Sequence, residues 1–173
     1  METKVPVIRS MLGHADHIIV GGAIANTFLA ANGHAVGSSL HEKEQMPEAL
    51  SILEESKKEG HARIHLPSDV IVAEGPSATS GENVSVASVP DTRAIFDMGT
   101  QTVDEFSDLL KSAGMVVWNG PLGYYENPAF ALATKAVAHV IADATKAGTL
   151  VSIVGGGDTL DFHTRNGLDL SAY

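Results

Sequence analysis

Three glycine-rich turns constrain this chain more than anything else in it. They are Ile19-Val20-Gly21-Gly22-Ala23, Val117-Trp118-Asn119-Gly120-Pro121-Leu122-Gly123 and Ile153-Val154-Gly155-Gly156-Gly157-Asp158-Thr159. Each follows a short apolar run with strand chemistry, and helix-forming sequence resumes beyond it. That repeated succession specifies an α/β fold with a mainly parallel sheet and helices on both faces. Parallel strands put all three turns along one edge, where the ligands of such sheets sit. Glycine lets a ligand approach the backbone and lets successive N–H groups converge, while a helix start adds its positive dipole end. One such turn is explained by tight turning alone. Three on one edge point to a phosphate-bearing ligand.

The rest of the chain keeps the rhythm. Val5, Ile8, Met11 and Leu12 predict a short helix ending at Gly13, followed by a strand at Ile18-Ile19-Val20. A small-residue helix is expected from Ala23 to Asn32, stopped by Gly33, and an exposed helix from His41 to Glu59, stopped by Gly60. Ile64 to Leu66 and Val70 to Ala73 read as strands around Pro67-Ser68-Asp69. Residues 74–83 have loop chemistry, either a mobile loop or part of an irregular β excursion, and Val84 to Val89 reads as a further strand. Thr102 with Glu105 fits a capping box, and Val103, Phe106, Leu109 and Leu110 form the buried stripe of the next helix, which ends at Gly114. Met115 to Trp118 is a strand with Trp118 in the core. Pro128 opens a helix to about Lys146, ended by Gly148, and Leu150 to Val154 is the last strand. A final helix runs to Asn166 and stops at Gly167.

A length of 173 residues suits one domain. With 11 basic and 21 acidic residues the formal charge is −10, which argues against a broad nucleic-acid or anionic-membrane surface but not against one local phosphate site. The absence of cysteine removes disulfides, thiolate metal sites and cysteine nucleophiles. No apolar run approaches the length of a membrane span and the start lacks a signal region, so the expected location is cytoplasmic.

The Walker pattern is absent, and Leu160 stands where a dinucleotide fingerprint needs a small residue. Asp158 follows the glycines directly. A carboxylate at a phosphate site needs a cation between the two charges, and Mg²⁺ fills that role; a plain helix cap is the alternative. Thr159 is placed to donate to a phosphate or to cap. Glu126 is placed to accept from a ribose diol or to complement a helix start. The eight histidines show no ligand spacing: His14 and His17 straddle a helix end, and His61 and His65 lie four apart in a strand-like stretch.

Together the motifs resemble phosphoglycerate kinase. The segment Val116-Val117-Trp118-Asn119-Gly120-Pro121-Leu122-Gly123-Tyr124-Tyr125-Glu126 is similar to the family's Trp-Asn-Gly-Pro motif, and Gly155-Gly156-Gly157-Asp158-Thr159 to its Gly-Gly-Gly-Asp-Thr turn. Ile18 to Phe28 and Val36-Gly37-Ser38-Ser39-Leu40 resemble two further family segments, in order. The resemblance covers essentially the whole chain. It implies a three-layer α/β/α Rossmann-like domain truncated at both ends, with residues 1–173 as most of the family's C-terminal, nucleotide-binding domain. The domain that holds 3-phosphoglycerate would have no counterpart here.

The implied ligands are ATP or ADP with Mg²⁺, and the implied reaction is phosphoryl transfer between 1,3-bisphosphoglycerate and ADP. The family's base slot maps onto Gly21, Gly22, Leu40 and Phe96, and its ribose site onto Pro121 and Glu126, with Gly123 and Tyr124 in the same nucleotide-binding set. The phosphates would run toward Asn119 and Gly155, Gly156, Gly157, Asp158 and Thr159, with Asp158 on the metal. Lys4 matches the second lysine of the family's first strand end, and Lys4, Gly156, Gly157 and Thr159 would act in transfer. Tyr124 and Tyr125 replace the usual Val-Phe. The resemblance also implies a central strand ahead of residue 1, without which the strands ending at Val20 and Trp118 would pair directly or stay open. This chain alone is then expected to be inactive. The alternative is a non-catalytic adenine-nucleotide module. A full-length member is expected to be a monomer.

Overall fold

The computed structural model describes residues 4–173. Its elements are α1 (Val5–Met11), β1 (His17–Ile19), α2 (Gly22–Ala31), α3 (Met46–Glu55), β2 (Arg63–His65), β3 (Asp69–Ala73), β4 (Glu82–Ser85), β5 (Ala94–Met98), α4 (Thr100–Lys111), β6 (Met115–Asn119), α5 (Leu132–Lys146), β7 (Val151–Gly155) and α6 (Gly157–Arg165), with four short 3₁₀ turns among them.

The strands form two parallel pairs, β1–β2 and β6–β7, and an antiparallel three-stranded sheet in the order β4-β3-β5. Ile19 lies opposite His65 in the first pair, and Asn119 opposite Gly155 in the second. The irregular β excursion expected around residues 74–83 is the β3–β4 hairpin. The strands ending near Val20 and Trp118 do not pair with each other. Among the described residues no helix is long and apolar enough to cross a membrane.

Two apolar clusters hold the elements. The larger gathers Val70, Val72, Phe106, Trp118, Val137, Ile141 and Phe162 from β3 and α4 through α6. The smaller packs Val5, Leu12, Val20, Phe28 and Ile52 from α1, β1, α2 and α3, and Leu66 touches both clusters. Phe28, Phe106, Phe130 and Phe162 are fully buried, each contributing about 1.5–3 kcal/mol of transfer free energy. α4 buries Thr102, Phe106 and Leu110 at four-residue spacing, and α5 buries Ala133, Val137 and Ile141 likewise. Arg9 ties α1 to α3 through Glu48, Glu55 and Ser51.

Several expected elements are corrected. The helix expected over 41–59 is a 3₁₀ turn, Lys43–Gln45, followed by α3 with Pro47 in its first turn, where a missing N–H costs nothing. It is not wholly exposed, since Ala49 and Ile52 are in the core. The strand expected over Val84 to Val89 stops at Ser85, whose hydroxyl accepts from Ala87 N and turns the chain into a 3₁₀ helix. Pro128 opens a separate 3₁₀ turn capped by Asn127, and α5 begins at Leu132. Thr102 does not cap α4. It lies inside the helix, and the carboxylate that fills the helix start comes from β3. Strand β5 had no counterpart among the expected elements.

Candidate functional site

The three glycine turns meet along one edge. Gly22 N donates to Leu122 O at 2.8 Å, joining the start of α2 to the Pro121–Gly123 turn. Gly120 N donates to Thr159 Oγ1 at 2.7 Å, joining the end of β6 to α6. Lys4 Nζ donates to Asn119 Oδ1 at 3.3 Å. Gly156 sits at φ +91°, and a Cβ there would lie 2.6 Å from Asn119 Oδ1, so this turn requires glycine on both counts. Lys4, Asn119, Gly155, Gly156, Gly157 and Thr159 are thus neighbours.

A second chain of bonds leads to the expected base slot. Tyr124 N donates to Phe96 O at 2.7 Å, and the Phe96 ring stacks on Phe130 at 4.9 Å, with Tyr124 6.0 Å away. Ile95 N donates to Ser39 Oγ at 2.8 Å, which sets Leu40 beside the start of β5, and Asn26 of α2 donates to Leu40 O. Leu40 is 65% exposed and Tyr124 40%, and the Phe96 ring is half-buried between Phe130 and Tyr124. Two surface hollows lie elsewhere: one of about 250 Å³ at Glu74 and Arg93, and one of about 920 Å³ at Lys57, His61 and Arg63.

Asp158 and Glu126 are exposed and share one electrostatic neighbourhood. Burial, then the hydrogen bond to Asp161 and the carboxylates of Glu126, Asp161 and Asp158, push the Tyr125 phenol up to about 12. Tyr125 Oη donates to Asp161 Oδ2 at 2.9 Å, and Arg165 Nε donates to the same oxygen. Three carboxylates therefore gather beside α6, with Arg165 the cation bonded among them.

The helix starts differ in what fills them. At α4 the Asp69 carboxylate accepts from Gln101 N, Thr102 N, Thr102 Oγ1 and Asn83 Nδ2. Burial alone would raise the Asp69 carboxyl, but these bonds together hold it below the ordinary value. At α5 the Asp97 carboxylate accepts from Ala133 N and from Met98 N. Here burial dominates the backbone donors and pushes the carboxyl up to about 7. Gly123 lies against Asp97 and the Phe130 carbonyl, so a side chain there would collide with both. At α2 and α6 no side chain caps the helix. The N–H groups of Ala23, Ile24, Gly157, Asp158 and Thr159 have no hydrogen-bond partner among the described residues. α1 and α3 also lack a side-chain cap, but each carries proline in its first turn; the uncapped starts without proline, α2 and α6, are the two beside the glycine turns.

Thr159 has a more internal place than its motif suggests. Its side chain is fully buried and its oxygen is taken by Gly120 N. Its backbone N–H is what faces the open helix start. Asp69 and Asp97 escaped notice because each acts on a helix distant in sequence. The available signal was an aspartate set inside an apolar strand run, as in Ala94-Ile95-Phe96-Asp97-Met98.

Residues 1–171 match the phosphoglycerate kinase family. A phosphoglycerate kinase of Cereibacter sphaeroides is 42% identical over 161 residues, covering 92% of this chain and 40% of that protein. One from Rhizorhabdus wittichii is 43% identical over 161 residues, with the same shares. The structure of phosphoglycerate kinase from Coxiella burnetii superposes with a TM-score of 0.88 at 38% identity, over 95% of this chain and 42% of that one. That from Pyrococcus horikoshii gives 0.76 at 25% identity, over 95% and 41%. The chain spans about two fifths of the length of the curated relatives it matches. Its motifs, its fold and these relatives agree that the chain belongs to the phosphoglycerate kinase family.

Proposed function

We propose that residues 1–173 are most of the nucleotide-binding half of a phosphoglycerate kinase, and that the glycine-turn edge holds ADP or ATP with Mg²⁺. The observation that carries this reading is the contrast between helix starts. α4 and α5 are filled by Asp69 and Asp97, whereas α2 and α6 leave free N–H groups on one edge, with Lys4 and Asn119 between them. The base would lie against Leu40, Phe96 and Tyr124, close to the Gly21-Gly22 backbone. Glu126 would accept from the ribose hydroxyls near Pro121. The phosphates would take the N–H groups of Gly157, Asp158 and Thr159, and Lys4 would offset charge on the transferred group.

The exposed Asp158 carboxylate beside an open helix start suits a cation shared with phosphate oxygens. Bound there, Mg²⁺ would neutralise phosphate charge. The carboxyl acceptor of the transferred phosphoryl, 3-phosphoglycerate, would be held outside this chain. The chain alone would then bind nucleotide without turnover.

Calorimetric titration of the purified chain with ADP, with and without Mg²⁺, tests the reading. Mg²⁺ should strengthen ADP binding in the parent and much less in Asp158→Ala, while Glu126→Gln should weaken ADP and leave inorganic triphosphate unchanged. Absence of ADP binding by a folded chain, or equal losses for both ligands in Glu126→Gln, would refute it.

A further inference from the structure

The fold brings together two histidines that lie 48 positions apart in the sequence. β1 and β2 run parallel, with His17 opposite Arg63 and Ile19 opposite His65. Alternation puts His17, Ile19, Arg63 and His65 on one face of the pair. His17 Nδ1 and His65 Nε2 are 2.9 Å apart, with ring centroids at 5.0 Å and planes inclined by 51°. One proton lies between the two nitrogens, so one imidazole donates and the other accepts. His61 and His14 bond backbone carbonyls through their own Nδ1 atoms.

We infer that His17 and His65 form a two-imidazole chelate for a borderline divalent cation, Cu²⁺ or Ni²⁺ ahead of Zn²⁺, separate from the nucleotide edge. The argument is one of bite. With metal–nitrogen bonds near 2.05 Å, two ligands at right angles sit about 2.9 Å apart, and a tetrahedral pair about 3.3 Å apart. The observed spacing matches the right-angled geometry that Cu²⁺ and Ni²⁺ favour. The ion would displace the shared proton and sit off the line between the two nitrogens, so both rings would turn to aim their lone pairs at it, His17 more freely because it is exposed.

No group of three or more ligating side chains exists among the described residues, so water would complete the coordination and the affinity would be modest. Arg63 opposes the ion by its charge. Mg²⁺, which takes oxygen ligands, has no place here.

The test is titration of the purified chain with NiCl₂ or CuCl₂ in a non-coordinating buffer without nucleotide, followed by calorimetry and by the shift in melting temperature. One ion should bind with highest affinity. His17→Gln and His65→Gln should each weaken that step about tenfold or more, by analogy with the loss of metal-site partners. His61→Gln should leave it unchanged, and Arg63→Gln should tighten it. Circular dichroism of each variant separates lost binding from lost folding. Parent-like Ni²⁺ affinity in folded His17→Gln and His65→Gln, or equal loss in His61→Gln, would overturn the inference.

Discussion

Thr159→Val isolates the bond that joins two of the glycine turns. Valine keeps the shape of threonine and removes the oxygen that accepts from Gly120 N at 2.7 Å. The Thr159 side chain is fully buried and Gly120 half-buried, so water replaces that acceptor only in part. A buried donor left without a partner costs about 1–3 kcal/mol. With a urea m-value of about 2 kcal/mol/M, the unfolding midpoint should fall by about 0.5–1.5 M. Thr159→Ser keeps the bond and loses one methyl, a transfer loss of about 0.8 kcal/mol, so it should be less destabilised than valine. Nucleotide affinity, measured under strongly folding conditions, should drop modestly in Val and stay close to parent in Ser, because the N–H at 159 remains in both. A valine variant of parental stability that has lost most of its ADP affinity would refute the reasoning, and would return the hydroxyl to direct contact with phosphate.

Two further predictions concern the filled helix starts. Asp97→Asn should flatten the pH dependence of stability. The folded carboxyl is raised from 3.8 to about 7, so its contribution is full below the ordinary value and is lost as pH rises through that window, by at most about 1.4 kcal/mol per pH unit. Denaturation midpoints from pH 4 to 8 read this out, and an unchanged slope in Asn would show that the group is ionised throughout. Asp69→Ala should destabilise by about 2–4 kcal/mol, since it strips a buried charged acceptor from four donors. Its loss should matter most above the ordinary carboxylate pKa, because the parent's contribution disappears only as pH falls through the depressed value. Equal stability of parent and Ala at neutral pH would contradict this.

What could be read from sequence follows from which interactions are local. α2, with its stop at Gly33, and the strands before the second and third glycine turns are written in consecutive residues, and the structure has them. The meeting of the three turns followed from parallel topology alone. The capping of α4 did not, because Asp69 reaches it across about thirty positions and displaces the local Thr102–Glu105 pattern. β5 was invisible for a related reason: Asp97 interrupts its apolar alternation, and only the start of α5 explains a carboxylate there. The overlong helix at 41–59 reflects an unbroken run of helix-forming residues in which Pro47 marked the true start. At the site, Lys4 was assigned by the resemblance alone, and the structure sets its Nζ against Asn119 Oδ1.

The two apolar clusters have a consequence for how this chain responds to a ligand. Lys4, Gly21 and Gly22 are carried by the smaller cluster, whereas Asn119, Glu126 and Asp158 are carried by the larger. Leu66 touches both clusters and α2 also sends Leu29 into the larger, but units joined by few side chains can still open separately, each with its own free energy. A nucleotide touching both sets of turns binds only when the two are in register, so it stabilises their mutual docking more than either interior. Amide exchange would then slow most where α2 meets the Pro121–Gly123 turn, and least at the centre of α4. The boundary between the clusters would in this sense be an adjustable joint, stiffened by a nucleotide that spans it.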